Sequence, residues 1–306
     1  MQLSLKYLLH RLIDYAGLFP PAALDMTTAV RNYAAYCSGE NAWMLGRFIV
    51  PVARLDEFAL AAKGILPDGG WEGDEYWRLS ASSGTDLAAD LGRIAAFNQH
   101  YVTQPYPHQE GLAKIDTIEI KAEQPAGIEA AVKLLPKELI PYFEIPINND
   151  PAELVKVIAA ANARAKIRTG GLTAEAFPTA YELARVIAAC AEEDVPFKAT
   201  AGLHHPLRGK YRLTYDADSA FATMHGFLNV FLAAGFAQFG MGPELLVEVL
   251  EECDANAFEF DGGGVHWRGN DLVLAHLRNT RTLFALALGS CSFNEPIEDL
   301  QKLGLL

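Results

Sequence analysis

Short apolar segments of strand length alternate with longer amphipathic segments along most of the chain, and this alternation restricts the possible folds most strongly. The intervening segments, such as DMTTAVRNYAAYC at 25–37, place apolar residues at helical spacing behind a residue suited to starting a helix. The strands lack a clean polar and apolar alternation, which is typical of parallel strands covered by helices. We predict strands near Leu12–Leu18, Arg47–Val52, Tyr76–Ala81, Ile115–Lys121, Ile140–Ile145, Ala165–Arg168, Phe197–Ala201 and Phe258–Asp261.

Eight strand-then-helix steps predict a (β/α)8 TIM barrel that occupies residues 1–306 as a single domain. An open doubly wound sheet is the alternative, although no glycine-rich dinucleotide turn follows the first strand. Residues 203–270 are expected to be the least regular part. There Asp218–Phe236 and Pro243–Cys253 read as two consecutive helices, and AFEFDGGGVHWRGNDL reads either as one strand or as a hairpin.

Composition narrows the class of partner. The chain has 306 residues, of which 51% are hydrophobic, and a net charge of −13. An acidic surface repels phosphate backbones, so we expect no nucleic acid partner. The four cysteines are widely spaced, which predicts free thiols in a reducing cytoplasm. We expect no membrane segment and a small-molecule substrate, and the sequence leaves a homo-oligomer open.

Two lysines occupy matching points of successive predicted strands. Lys166 lies in AKIRTGG and Lys198 in PFKATAGLHHP, and each precedes a threonine and a glycine just before a loop. Neighbouring parallel strands are about 4.8 Å apart, so the two amines are expected to approach each other. A lysine attacks a carbonyl only when neutral, and a nearby cation lowers its pKa. We therefore predict that one of the two amines lowers the pKa of the other.

Chemistry on a barrel belongs at the carboxyl ends of the strands. Asp116 or Glu119 is the predicted proton shuttle, although a regular strand points only one of them inward. The remaining predicted site residues would bind the substrate, and an arginine among them suits an anionic group. These residues are Arg168, Thr169, Thr200, Glu144, His204, His205, Arg208, His225 and Asn229.

The motifs resemble those of the 2-deoxyribose-5-phosphate aldolases. KIRTGG is similar to that family's Lys-Thr-x-Thr-Gly stretch, FKATAGL to its Lys-Ala-Ser-Gly-Gly-Ile stretch, and KIDTIEI to its Val-Asp-Val-Val strand. The resemblance covers about a third of the chain. It implies a (β/α)8 fold and class I aldolase chemistry without a metal or other cofactor, with Lys166 forming the imine, Lys198 lowering the pKa of Lys166 and Asp116 relaying the proton. LHHPLRG stands where the family has a phosphate-binding turn, so the predicted substrate is a small anionic carbonyl compound.

Three other interpretations stay open. The lysines are equally suited to structural salt bridges with Asp116, Glu119 or Glu144 inside the barrel. A metal-dependent isomerase or hydrolase would use His204 or His205 with His225 and Glu144. A non-catalytic barrel that binds a metabolite is the third alternative. We interpret the other histidines as ordinary surface or helix residues, His10, His100, His108 and His276, and leave His266 unassigned.

Overall fold

A computed structural model describes residues 1–69, 76–102 and 110–306 of the protein. Eight parallel strands form a closed barrel. The barrel strands are β1 (Ile13–Tyr15), β2 (Leu45–Pro51), β3 (Trp77–Ser82), β4 (Ala113–Lys121), β5 (Ile140–Ile145), β6 (Arg164–Arg168), β7 (Phe197–Thr200) and β13 (Ala285–Ser290). Their order around the barrel is β1-β13-β7-β6-β5-β4-β3-β2, so the last strand of the chain lies between the first strand and β7.

Helices follow the strands around the barrel, and the predicted fold class is confirmed. The helix starts follow local chemistry: the Asp25 carboxylate accepts the Thr28 backbone N–H, and Thr179 forms a capping box with Glu182. The helices are α1 (Leu3–Leu9), α2 (Met26–Cys37), α3 (Leu55–Ala62), α4 (Leu87–Val102), α5 (Pro125–Val132), α6 (Ala152–Ala160), α7 (Ala180–Glu192), α8 (Phe227–Gln238), α9 (Pro243–Glu251), α10 (Leu274–Asn279) and α11 (Asn294–Lys302).

The first seven predicted strands coincide with barrel strands, but the eighth prediction is wrong. Phe258–Asp261 overlaps β10 (Glu259–Phe260), which belongs to a small antiparallel sheet with β11 (Gly264–Trp267) and β12 (Asn270–Val273). The barrel closes instead with β13, which follows α10 through a turn of π-helix at Thr280–Phe284. Because helix runs into strand almost without a loop, the apolar pattern at 274–290 contains no turn signal that separates the two.

Residues 203–270 differ from the prediction in one further respect. The segment that begins at Asp218 is not helical at first, because residues 221–224 form β9, which pairs antiparallel with β8 (Gly209–Arg212). Helix α8 begins only at Phe227 and is buried almost along its whole length. The β8–β9 hairpin packs on the loop that follows β7, where Tyr211 stacks on His205 and its hydroxyl donates to the Leu207 carbonyl.

The hydrophobic core fills the space between the barrel and its helices, with contributions from nearly every element. Within the part of the chain that the structure describes, no helix combines the length and the apolar character needed to cross a membrane.

Candidate active site

Lys166 and Lys198 lie directly opposite each other on β6 and β7. This confirms the expectation that the two side chains stand at the same height on neighbouring strands. Glu144 on β5 is in turn opposite Lys166. Three adjacent strands thus carry an ionisable residue at one level of the barrel, near the carboxyl ends of the strands.

The carboxylate of Glu119, on β4, bridges the two lysines. Its Oε2 lies 2.8 Å from Lys166 Nζ, and its Oε1 lies 2.7 Å from Lys198 Nζ. Ser80 on β3 donates a further hydrogen bond to Oε1 at 3.0 Å. Glu119 is 5% exposed and Lys198 is 1% exposed, so both charges depend on these partners.

Asp14 on β1 provides the second carboxylate for Lys198. Its Oδ2 lies 2.7 Å from Lys198 Nζ, while its Oδ1 accepts the Arg47 backbone N–H at 2.7 Å. Gly46 leaves room for this carboxylate, because a Cβ at that position would lie 2.3 Å from Asp14 Oδ1. Asp14 therefore belongs to the cluster, although the sequence did not identify it as a site residue.

Lys166 also contacts Glu144, at 2.8 Å. Burial lowers the pKa of Lys166, but the charges of Glu119 and Glu144 outweigh burial and raise this pKa above its ordinary value. The pKa of Lys198 is likewise raised, because Asp14 and Glu119 outweigh its burial. The direction is opposite to the sequence prediction for Lys166, because the carboxylates near each amine outweigh the neighbouring ammonium group.

The cluster opens into a cavity of about 210 Å³ at the carboxyl ends of the strands. Lys166 and Glu119 line this cavity. Lys198 is not among its lining residues and lies deeper, with its Nζ 5.4 Å from the centre of the Tyr142 ring. The small residue Gly289, which pairs with both Asp14 and Thr200, leaves space on the wall formed by β13. Lys166 is thus the lysine of the pair that faces the cavity.

Asp116 lies elsewhere, and its predicted position beside the lysines is wrong. Its carboxylate pairs with Arg47 at 2.6 Å and with Arg78 at 2.6 Å. All three residues belong to the amino-terminal halves of their strands. Asp116 precedes Glu119 by three residues, which is roughly 10 Å along a strand. It is also an extra residue in the pairing of β4 with β3, where the register shifts. Asp116 therefore stabilises the opposite end of the barrel.

Three predicted substrate-binding residues follow the cluster along β6 and β7. Arg168 is exposed and lines the cavity. Thr200 also lines it, and its buried Oγ1 has no hydrogen-bond partner among the described residues. Thr169 is fully buried, and its hydroxyl donates to the Ala201 carbonyl at 2.7 Å, which ties the β6 loop to the β7 loop. Arg168 and Thr200 are thus placed to contact a ligand, whereas Thr169 positions the backbone.

The adjacent residues His204 and His205 make their shortest contacts with different carboxylates of α11. His204 lines the cavity and lies 3.3 Å from Glu295. His205 points away, lies 2.6 Å from Asp299 and stacks on the Tyr211 ring at 3.5 Å between centroids. Of the two, only His204 faces the cavity that Lys166 lines.

The remaining predicted site residues are occupied by structural contacts. Asn229 is fully buried and bonds to the backbone of residues 208, 249 and 252, which joins the β8 loop to α9. Arg208 pairs with Glu251 at 3.5 Å. His225 bonds through Nε2 to the Pro178 carbonyl at 2.8 Å, and burial lowers its pKa to about 4. His108 lies outside the described residues.

A shared metal site for His204, His205, His225 and Glu144 is not assembled. Among residues 1–69, 76–102 and 110–306, no group of three or more histidine, cysteine, aspartate or glutamate side chains is arranged to hold a metal ion.

Sequence reasoning missed Cys291 and Glu295, which contact His204, and Tyr215, which contacts both of them. Cys291 and Glu295 follow β13, the strand that the sequence prediction misplaced. Tyr215 lies on the unpredicted β8–β9 hairpin. Asp14 left a weak signal, since an aspartate within an apolar barrel strand requires a buried partner.

The fold and the cluster define a (β/α)8 barrel with a lysine-carboxylate site at the carboxyl ends of its strands. Compared with known proteins, the chain matches no family model, and no curated protein is significantly similar to it.

Proposed function

We propose that this protein is a lyase of the class I aldolase type, which forms an imine between Lys166 and a small anionic carbonyl compound. The observation that carries the proposal is the Lys166–Glu119 ion pair at 2.8 Å, both partners of which line one cavity. Schiff-base chemistry needs an amine and a proton acceptor within hydrogen-bond reach of one carbonyl group. The pair supplies both.

The first step requires a neutral amine. Lys166 passes a proton to Glu119, and its nitrogen attacks the carbonyl carbon to form a carbinolamine. Loss of water then gives a protonated imine. The carboxylate of Glu119 is already desolvated beside Lys166, so the proton moves over one hydrogen bond. In this mechanism the substrate also weakens the contact of Lys166 with Glu144, whose charge otherwise keeps the amine protonated.

Imine formation changes the role of Glu119. The Oε2 atom loses its ammonium partner, while Oε1 keeps Lys198 and Ser80. Glu119 then removes the proton from the substrate hydroxyl. The carbon-carbon bond breaks, an aldehyde leaves, and the bonding electrons form an enamine on Lys166. Protonation of the enamine and hydrolysis of the imine release the second product. In this proposal Glu119 moves the protons and Lys198 holds Glu119 in place.

Arg168 is the proposed anchor for the anionic group of the substrate. It is exposed at the end of β6 and lines the cavity two residues beyond Lys166. A guanidinium binds a carboxylate or phosphate through two parallel hydrogen bonds. The net negative charge of the lysine-carboxylate cluster, which combines two amines with three carboxylates, favours placing the anionic group at the rim instead of the floor.

Borohydride trapping tests this function. The protein is incubated with a panel of small aldehydes and ketones, with and without an anionic group, then reduced and mapped by peptide mass spectrometry. We expect a reduced adduct on Lys166 with at least one anionic carbonyl compound, none in Lys166→Ala, and an unchanged adduct in Lys121→Ala, where an exposed lysine is removed. Binding of the same compounds without an adduct on Lys166 would support a non-catalytic metabolite-binding barrel and overturn the proposal.

A further inference from the structure

A second nucleophilic group lines the cavity on the side opposite the β4 carboxylate. Cys291 directly follows β13, is 5% exposed and contributes to the cavity wall together with Lys166. Its Sγ lies 3.9 Å from Nε2 and 4.0 Å from Nδ1 of His204. The thiol and the imidazole are therefore neighbours at the edge of a space large enough for a small molecule.

The hydrogen bonds of His204 determine which ring nitrogen can take a proton from the thiol. Ser290 Oγ lies 2.6 Å from the Ser292 carbonyl and donates its hydrogen there, so it can only accept from His204 Nδ1, 3.2 Å away. Glu295 also accepts at Nδ1, from 3.3 Å. Nδ1 thus carries a hydrogen, and Nε2 is the nitrogen left to act as a base toward Cys291.

This order, with a carboxylate behind an imidazole and a thiol in front of it, is the general arrangement of an activated nucleophile. The sulfur-nitrogen distance is long for a hydrogen bond, but such contacts commonly shorten when a ligand binds. The Tyr215 hydroxyl lies 3.5 Å from Sγ but donates its hydrogen to Glu295 at 3.2 Å, so His204 is the group that would stabilise a thiolate. The surroundings of Cys291 therefore suit a thiolate.

The charges around Cys291 also favour its thiolate form. Burial raises the pKa of Cys291, but the hydrogen bond and charge of His204 lower it below its ordinary value. Burial lowers the pKa of His204, but Cys291 and Glu295 raise it. His205 lies 4.0 Å from Glu295, but burial lowers the pKa of this imidazole, so it adds little charge there. A thiolate and an imidazolium consequently stabilise each other.

An independent observation suggests that this space suits a polar ligand. The Thr200 hydroxyl lines the same cavity, is buried, and has no hydrogen-bond partner among the described residues. A buried hydroxyl without a partner costs free energy, and a polar atom of a small molecule in the cavity would remove that cost.

We propose that Cys291 is an activated thiol and a site of covalent modification by small uncharged carbon electrophiles that enter this cavity, with His204 as its base. The thiol proton passes to His204 Nε2, and the sulfur attacks the electrophilic carbon. With a haloacetamide, the carbon-sulfur bond forms as the carbon-halogen bond breaks, and the halide leaves. The proposal does not depend on the imine at Lys166, and the two adducts are mapped to different residues.

Iodoacetamide is the probe. Alkylation rates are measured at each cysteine of the full chain by peptide mass mapping between about pH 6 and pH 8, below the pKa of a free thiol. The thiolate fraction of an ordinary thiol rises about tenfold per pH unit in this range. Exposed Cys253 is the internal reference, and fully buried Cys190 is the negative control. We expect the rate at Cys291 to rise less than tenfold over the range, against about a hundredfold for an ordinary free thiol.

Two carboxylates on α11 provide a matched pair of variants, since Glu295 lies beside His204 and Asp299 beside His205. We expect Glu295→Gln to steepen the pH dependence at Cys291, His204→Gln to make it as steep as at Cys253, and Asp299→Asn to leave it unchanged. A wild-type Cys291 that follows the slope of Cys253, or that stays unmodified while Cys253 reacts, would overturn the proposal without reference to any variant.

Discussion

Lys166 and Glu119 form an ion pair in which both partners line one cavity, while the other oxygen of the same carboxylate holds the deeper Lys198. One buried carboxylate therefore neutralises parts of two cations on two strands. This arrangement combines the structural and the catalytic interpretations of the lysines, because the salt bridges that stabilise the barrel place an amine beside a proton acceptor.

Glu119→Gln is expected to destabilise the fold strongly, because it leaves two buried ammonium groups with one carboxylate fewer. Removing one partner of a buried ion pair typically costs about 3–5 kcal/mol in free energy of unfolding. Urea unfolding monitored by circular dichroism measures the change. Glu123→Gln, which breaks the exposed pair with Lys121, is the control and is expected to leave the midpoint unchanged. Equal stability of the two variants would contradict a buried bridging role for Glu119.

Glu144→Gln is expected to shift imine formation to lower pH. The charges of Glu119 and Glu144 raise the pKa of Lys166, so the neutral amine accumulates only at alkaline pH, and trapping should still rise beyond the ordinary lysine value of about 10.4. Removing the negative charge of Glu144 lowers this pKa, and more neutral amine is then present at a given pH. The borohydride trapping rate as a function of pH measures the shift. If the trapping rate rose at the same pH in both proteins, Glu144 would not determine the protonation state of Lys166.

Asp116→Asn separates the two ends of the barrel. Burial raises the pKa of Asp116, but Arg47 and Arg78 outweigh burial and hold it below the ordinary value. The substitution leaves these arginines without their carboxylate, and we expect a lower unfolding midpoint. The adduct on Lys166 should form as in the wild type, measured at a temperature where the variant is folded. Loss of the adduct in a folded Asp116→Asn protein would show that Asp116 is needed for adduct formation at Lys166.

Gly202→Ala is expected to destabilise the loop after β7 more than its backbone conformation alone requires. Gly202 has a φ of +66°, and an added Cβ would lie 2.5 Å from the Phe177 ring. Gly64 has a φ of +75° with nothing within 4 Å, so Gly64→Ala reports the conformational cost alone. We expect an additional loss of about 1–3 kcal/mol for Gly202→Ala from overpacking. Thermal unfolding compares the two, and equal losses would mean that Phe177 moves aside freely.

Much of this barrel could be predicted from local patterns. The positions of the first seven strands follow from apolar runs, and the facing positions of Lys166 and Lys198 follow from the regular spacing of parallel strands. The partners of Asp116 could not be predicted in this way, because Arg47 and Arg78 reach it from two other strands. The direction of the pKa change of Lys166 was also missed, since it depends on Glu144 and Glu119 arriving from two other strands.

The position of β13 between β1 and β7 has a consequence for folding. Asp14 and Lys198 are 184 residues apart in the chain, and they meet only when the final strand completes the ring. Before that point the lysine side chain has no second carboxylate and is better left in water. The chain therefore completes the lysine-carboxylate cluster last, after slow pairing between distant segments, and a nascent polypeptide that ends before residue 285 has no closed barrel to bring Asp14 beside Lys198.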